Sequence, residues 1–220
     1  MYSLLKKDYY THNWVSYFSL AIGLVVFYII HIPPVFLFTI SFLSLLITLF
    51  YYDDKNKTNR FFISLPVSKK KFVRSRYVYL ACLAIVLLLF QWIVALSIPN
   101  SLTIPSNYIY DWRDIIILYA IALVLISVGG FIFYALRSFL LAVSIFLLLY
   151  LIGTIALLDP LTNVLDMTEY IYFNEMDQGL VLLAEAYIPF QPFIVTIIVA
   201  FALFYISMKL VERIFSKRDL

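Results

Sequence analysis

Side chains able to do covalent or metal chemistry are few in this chain, and their spacing is wrong for it. His12 and His31 stand far apart, and neither belongs to a His-Glu-x-x-His arrangement, which a zinc protease needs to set two ligands and a base on one helix face. Cys82 is the single cysteine, so no intramolecular disulfide and no cysteine metal cage can form. The glycines, at 23, 129, 130, 153 and 179, supply neither a Gly-x-Ser-x-Gly elbow nor a phosphate-cradling loop ending in Gly-Lys-Ser/Thr. The chain is therefore expected not to be an enzyme, not to hydrolyse ATP by itself and to bind no metal or cofactor of its own.

What remains is charge concentrated in one segment. Residues 53–76 read DDKNKTNRFFISLPVSKKKFVRSR and hold half of the sixteen Lys and Arg. Phe61, Phe62 and Leu65 share a helical face, which predicts a short amphipathic helix from about Thr58 that Pro66 interrupts. Ser68 then caps a second helix that runs on into an apolar stretch. Lys69, Lys70 and Lys71 fill its first turn, where exposed cations oppose the helix dipole by about 0.3–1 kcal/mol each. Something acidic outside the helix should offset them, either anionic lipid headgroups or the acidic or polar surface of a cytoplasmic partner.

The elements that carry this segment follow from composition. With 64% hydrophobic and 13% charged residues and a mean hydropathy of +0.97, the chain has too little polar surface to wrap a water-soluble core. A cytosolic enzyme, a secreted disulfide module and a disordered chain are excluded. Apolar runs at 15–31, 34–52, 78–98, 115–135, 139–158 and 188–208 are each long enough to cross about 30 Å of hydrocarbon. They are continuous rather than alternating, so the expected fold is an all-α integral membrane protein with six transmembrane helices, not a barrel. The first two runs meet around Pro33, and the fourth and fifth around Leu136, Arg137 and Ser138. Both junctions read as tight hairpins. Pro189 and Pro192 open the sixth run, where a missing N–H costs little. The amino end does not read as a cleavable signal: Lys6 and Lys7 precede polar Asp8, His12 and Asn13, and no small-residue cleavage site closes the first run.

Orientation follows from the positive-inside rule. With the amino end inside, Lys6, Lys7, the basic residues of 55–76, Arg137, Lys209, Arg213, Lys217 and Arg218 all face the cytoplasm. Only Arg113 falls outside, between Asp111 and Asp114, which can neutralise it locally. The outer face then receives Asp159, Asp166, Glu169, Glu175, Asp177 and Glu185 in one segment without a basic residue. It reads as a solvated outer face, or as a stretch that shields an exit or attracts cationic cargo. A multi-pass protein of the plasma membrane with both termini cytoplasmic is expected, residues 1–220 forming one membrane domain. Its extramembrane parts are an interfacial stretch at 1–14, the cytoplasmic loop at 53–76 and the outer segment at 159–187.

The six runs contain no Asp, Glu, Lys or Arg, which disfavours a carrier driven by protons or sodium. Gly129 and Gly130 are the one candidate helix break, and close helix packing is the plainer reading. Cys82 is expected as a small packing residue. Gln91, beside Trp92, either faces a substrate path or makes an interhelical hydrogen bond. The abundant Tyr and Phe suit an amphipathic solute, or form interfacial belts against lipid.

Ser64, Leu65, Pro66, Val67, Ser68, Lys69, Lys70, Lys71, Phe72 and Val73 resemble a pattern in the permease subunits of ABC-2-type exporters: Leu-Pro-Val-Ser in the first cytoplasmic loop, then basic residues, a hydrophobic one and the start of the third span. Six spans, inner termini and an acidic segment before the last span are similar as well. The resemblance implies a type V-like exporter fold in which two permease subunits, as a homo- or heterodimer, enclose a pathway. Each docks a cytoplasmic ATP-binding subunit, which carries the ATP and Mg. It assigns partner coupling to Arg60, Phe61, Phe62, Leu65, Pro66, Ser68, Lys69, Lys70, Lys71 and Phe72, and matches residues 2–14 to an interfacial connecting helix. The chain lacks the large outer domain of bigger relatives. It looks most like small permeases of low-GC Gram-positive bacteria, including those exporting phenol-soluble modulins, which implies amphipathic peptides or other hydrophobic compounds as cargo. No nucleic acid partner is expected. A different class of function, a membrane immunity protein that sequesters a toxic peptide, would share the spans without needing the basic loop.

Overall fold

The computed structural model describes residues 34–56, 68–97, 111–136, 138–165 and 176–217, with Tyr9, Tyr17, residues 21–23, Val25 and Val26. Its helices are α1 (Pro34–Lys55), α2 (Lys69–Ser97), α3 (Trp112–Ala135), α4 (Phe139–Val164), α5 (Met176–Tyr187) and α6 (Pro192–Ser216). All but α5 are long and apolar enough to cross a membrane. Five of the six expected spans are thus present among the described residues. Of the run at 15–31, only Tyr17, residues 21–23, Val25 and Val26 are described, all helical; the rest, with all of the interfacial stretch at 1–14 except Tyr9, lies outside.

Local signals set several boundaries. Asp111 and Asp114 form a capping box at the start of α3, the Asp111 N–H donating to Asp114 Oδ2 at 2.8 Å. Ser138 caps α4 by accepting from the Leu141 N–H, and only Leu136, Arg137 and Ser138 separate α3 from α4, the tight hairpin expected there. Pro192 stands in the first turn of α6, and Gln191 before it takes a left-handed conformation with φ 42° that turns the chain into the helix.

Two helix ends differ from the hydropathy reading. Helix α1 runs on to Lys55, so Asp53, read as the start of the loop, is helical, whereas α2 begins at Lys69, directly after Ser68 as expected. Asp53 and Arg76, read as the limits of the extramembrane loop, are both buried. Each charge neutralises the other, which a count of single-residue hydropathy does not register. At the opposite end, α4 passes through Pro160 to Val164, which takes Asp159 out of the outer segment and into a helix. That segment also folds back. Val181 and Ala184 of α5 pack with Ile117 and Phe193, and Gly179 lies so close to Leu161 and Leu165 that a Cβ there would sit 2.8 and 2.9 Å from their methyls.

Helix α3 is the axis of the bundle, touching every other described helix. Gly129 and Gly130 lie within it, and the helix is unbroken. Gly129 faces Leu46 and Phe146 while Gly130 faces the Tyr77 ring, so the pair serves close packing. Cys82 is exposed, against the expectation of a packing role. The periphery belongs to α4 and α6, whose outward rows such as Leu140, Leu148, Ile152, Ile198 and Tyr205 are exposed. Such faces suit hydrocarbon or a second subunit.

Candidate functional site

The helix ends that frame the basic segment meet in a compact charged and aromatic joint. Arg76 Nη2 lies 2.5 Å from Asp53 Oδ2, and neither side chain is more than 3% exposed. Phe50 and Phe72 flank the guanidinium, with ring centroids 5.8 and 5.5 Å from its carbon. Phe215 extends this shell, stacked on Phe72 and edge-on to Tyr134, which in turn meets Phe50. Residues from α1, α2, α3 and α6 therefore close around one ion pair. Because Asp53 lies in the last turn of the stem going into the loop and Arg76 about two turns into the stem coming out, the pair ties the two stems together.

A second pair joins α2 to α6. Arg74 grips Glu212 with Nε at 2.5 Å and Nη2 at 3.3 Å, and Lys209 Nζ stands 3.5 Å from the same carboxylate. Lys69 Nζ donates to the Ser216 carbonyl at 3.5 Å, so part of the cation crowding at the start of α2 is relieved by the negative carbonyl end of α6. Lys70, Lys71 and Ser68 are exposed, and Phe72 is buried in the joint. The Ser68 carbonyl accepts the first helical bonds from Lys71 and Phe72. Arg60, Phe61, Phe62, Leu65 and Pro66 lie outside the described residues.

Deeper in the bundle a chain of hydroxyls links α2, α6 and α3. Ser207 Oγ donates to the Ser127 carbonyl at 2.6 Å, which commits its only proton, so Tyr77 O–H is the donor in the 2.9 Å contact to Ser207. Ser127 Oγ in turn donates to the Leu123 carbonyl.

Between α3, α4 and α6 lies a groove of about 640 Å³, walled by residues such as Ile121, Val124, Leu149, Gly153, Val195 and Val199. Its hydroxyl protons are already committed: Tyr150 donates to Thr39, Thr154 to the Tyr150 carbonyl and Thr196 to the Pro192 carbonyl. Its described lining is almost wholly apolar and suits an apolar group. Gln91 and Trp92 do not line it; Gln91 is buried and Trp92 packs against the core.

Opposite the charged joint, Arg113 pairs with Glu185 of α5 at 3.0 Å and more distantly with Asp111 at 3.9 Å. Asp114, expected as a neighbour for its charge, is instead buried in the capping box. Asp53, Arg74, Arg76, Lys209 and Glu212 were not distinguished in the sequence as a site. The available signal was the two-residue spacing of Arg74 and Arg76, which puts two cations on opposite faces of one helix.

In comparison with known proteins, residues 3–216 match the family described as ABC-2 family transporter protein. No curated protein and no solved structure matches the chain.

Proposed function

From the premise that this chain belongs to the ABC-2 family of transporter proteins, we propose that it is the permease subunit of an exporter driven by a separate ATP-binding subunit, which binds ATP and Mg and docks on the loop between α1 and α2. The family makes the chain a multi-pass transporter membrane component rather than an enzyme. The observation that carries the finer reading is the clasped base of the basic loop: Asp53 and Arg76 hold its stems as one unit, and the exposed Lys70 and Lys71 stand beside it for an acidic partner surface. Arg60, Phe61, Phe62, Leu65, Pro66, Ser68, Lys69 and Phe72 complete the proposed coupling surface. Both termini are assigned to the cytoplasm on the charge pattern, and the exposed faces of α4 and α6 leave room for a second permease subunit, identical or related.

Amphipathic peptides or other hydrophobic compounds are the proposed cargo. The apolar lining of the groove, with its hydroxyl protons already in use, supports that class over a hydrophilic solute that needs donors. The test is transport into inverted vesicles with ATP and Mg supplied outside, at the exposed cytoplasmic face. Inverted vesicles holding the chain together with its copurifying ATP-binding subunit are expected to accumulate a fluorescent amphipathic helical peptide, and to continue when ionophores collapse proton and sodium gradients. Accumulation by the chain alone, or accumulation abolished by the ionophores, overturns the reading.

A further inference from the structure

The two arginines in the second and third turns of α2 differ in a way that suggests a division of labour. Two residues along an α-helix correspond to a rotation of about 200°, so Arg76 and Arg74 point to opposite sides, one to Asp53 of α1 and the other to Glu212 of α6. The Arg76 pair is sealed, and separating it would strand two charges in an aromatic shell. The Arg74 pair is half open. The Arg74 side chain is 46% exposed while that of Glu212 is 4% exposed, so water can take over the cation when the pair parts. Lys209, one turn back on the same helix, stays beside the carboxylate and compensates it. One contact is therefore built to hold and the other to let go.

Helix α6 connects the releasable contact to the groove. It runs unbroken from Pro192 to Ser216, with Glu212 near one end and Val195, Thr196, Val199 and Ala200 on the groove wall toward the other. Between them Ser207 is pinned by Tyr77 and by the Ser127 carbonyl. A stiff rod held in the middle and pulled at one end moves oppositely at the other.

We propose that Arg74 and Glu212 form a releasable coupling contact that passes movement of the α1–α2 loop to α6, so that α6 turns about Ser207 and changes the width of the groove between α3, α4 and α6. Both are positioning residues, acting on the groove through α6. The proposal rests on the exporter reading above, since that reading supplies the force on the loop. It adds which contact transmits the force and which surface responds.

The experiment uses the full chain with its copurifying ATP-binding subunit in nanodiscs and vesicles, in a Cys82→Ser background. Spin labels at Leu149→Cys and Val199→Cys report the groove width. In the parent chain, a non-hydrolysable ATP analogue is expected to shift the label distance. In Arg74→Gln the distance without nucleotide is expected to move away from the parent value, the nucleotide-dependent shift to disappear, and ATP-driven peptide accumulation to fall by about tenfold or more, within the range of ordinary coupling, while ATPase binding is kept. The swap Arg74→Glu with Glu212→Arg should restore the shift, which a purely structural role of either residue would not explain. Glu212→Gln, which removes the charge from the other side, should behave as Arg74→Gln. A nucleotide-dependent shift and accumulation within twofold of the parent in both single variants overturns the coupling contact alone. A parent chain with no ATP-driven accumulation overturns the exporter reading and this proposal together.

Discussion

A guanidinium with no exposed surface is stable only while its counter-charge stays in place, and Arg76 has one carboxylate at 2.5 Å, that of Asp53. Asp53→Ala is expected to destabilise the chain by about 3–5 kcal/mol, the usual result of stranding one member of a buried pair. Replacing both charges, Asp53→Leu with Arg76→Met, should recover most of that loss, because apolar groups of similar volume need no desolvation offset. Thermal unfolding of the two variants in one detergent checks the order: the double variant should melt well above the single one, and equal melting would remove the ion pair from the account of stability. These residues were hard to read in the sequence for the same reason. Hydropathy scores Asp53 and Arg76 as polar one at a time, which pushed both into a loop, whereas the fold buries them as a neutral unit. The lysines at 69–71 were legible as a local conflict with the helix dipole, and Lys69 finds its relief at the Ser216 carbonyl. Glu212 was invisible as a site because its partner lies far along the chain, on another helix.

At the scale of elements, glycines show how closely helices approach. A Cβ on Gly130 would stand 2.8 Å from Tyr77 Cζ, so Gly130→Ala must push α2 from α3 or displace the Tyr77 hydroxyl from Ser207. A cost of about 1–3 kcal/mol is expected, typical of overpacking. Gly153 is the control, since nothing lies within 4 Å of its added Cβ. There Gly→Ala should be neutral or stabilise by up to about 1 kcal/mol through helix propensity. Unfolding curves of the two variants are expected to shift in opposite directions or by clearly different amounts. The long apolar helices, the α3–α4 hairpin and the proline start of α6 could all be read in the sequence, since each rests on a short-range rule of length, capping or missing N–H. The ends of α1 and α4 near charges were misplaced, and α5 went unread because its twelve residues are too short for a span and its partners Ile117, Phe193 and Leu161 come from three other helices.

For the whole molecule, the two ends of the bundle differ in chemistry, and that difference yields a test of orientation. One end gathers the Arg74, Arg76, Lys69 and Lys209 contacts around the stems of the basic loop, while the other holds Arg113 against Glu185 beside the acidic segment. The positive-inside rule then assigns the first end to the cytoplasm. Cys82 is exposed on the bundle, so labelling should begin from Cys82→Ser, which removes a background thiol at little structural cost. In that background Lys57→Cys and Glu175→Cys are expected to react from opposite sides of sealed inverted vesicles, Lys57→Cys with an impermeant maleimide added outside and Glu175→Cys only after permeabilisation. The same assay reports on coupling, because a partner docked at the loop should slow modification at 57 and leave 175 unchanged. Changing Lys69, Lys70 and Lys71 together to Ala should remove that protection and lower ATP-driven accumulation while membrane insertion persists. If both thiols react from one side, the charge argument for orientation is wrong. If protection at 57 and accumulation both survive the triple change, the lysines serve lipid headgroups instead of a protein surface, and the docking role passes to the aromatic residues of the loop.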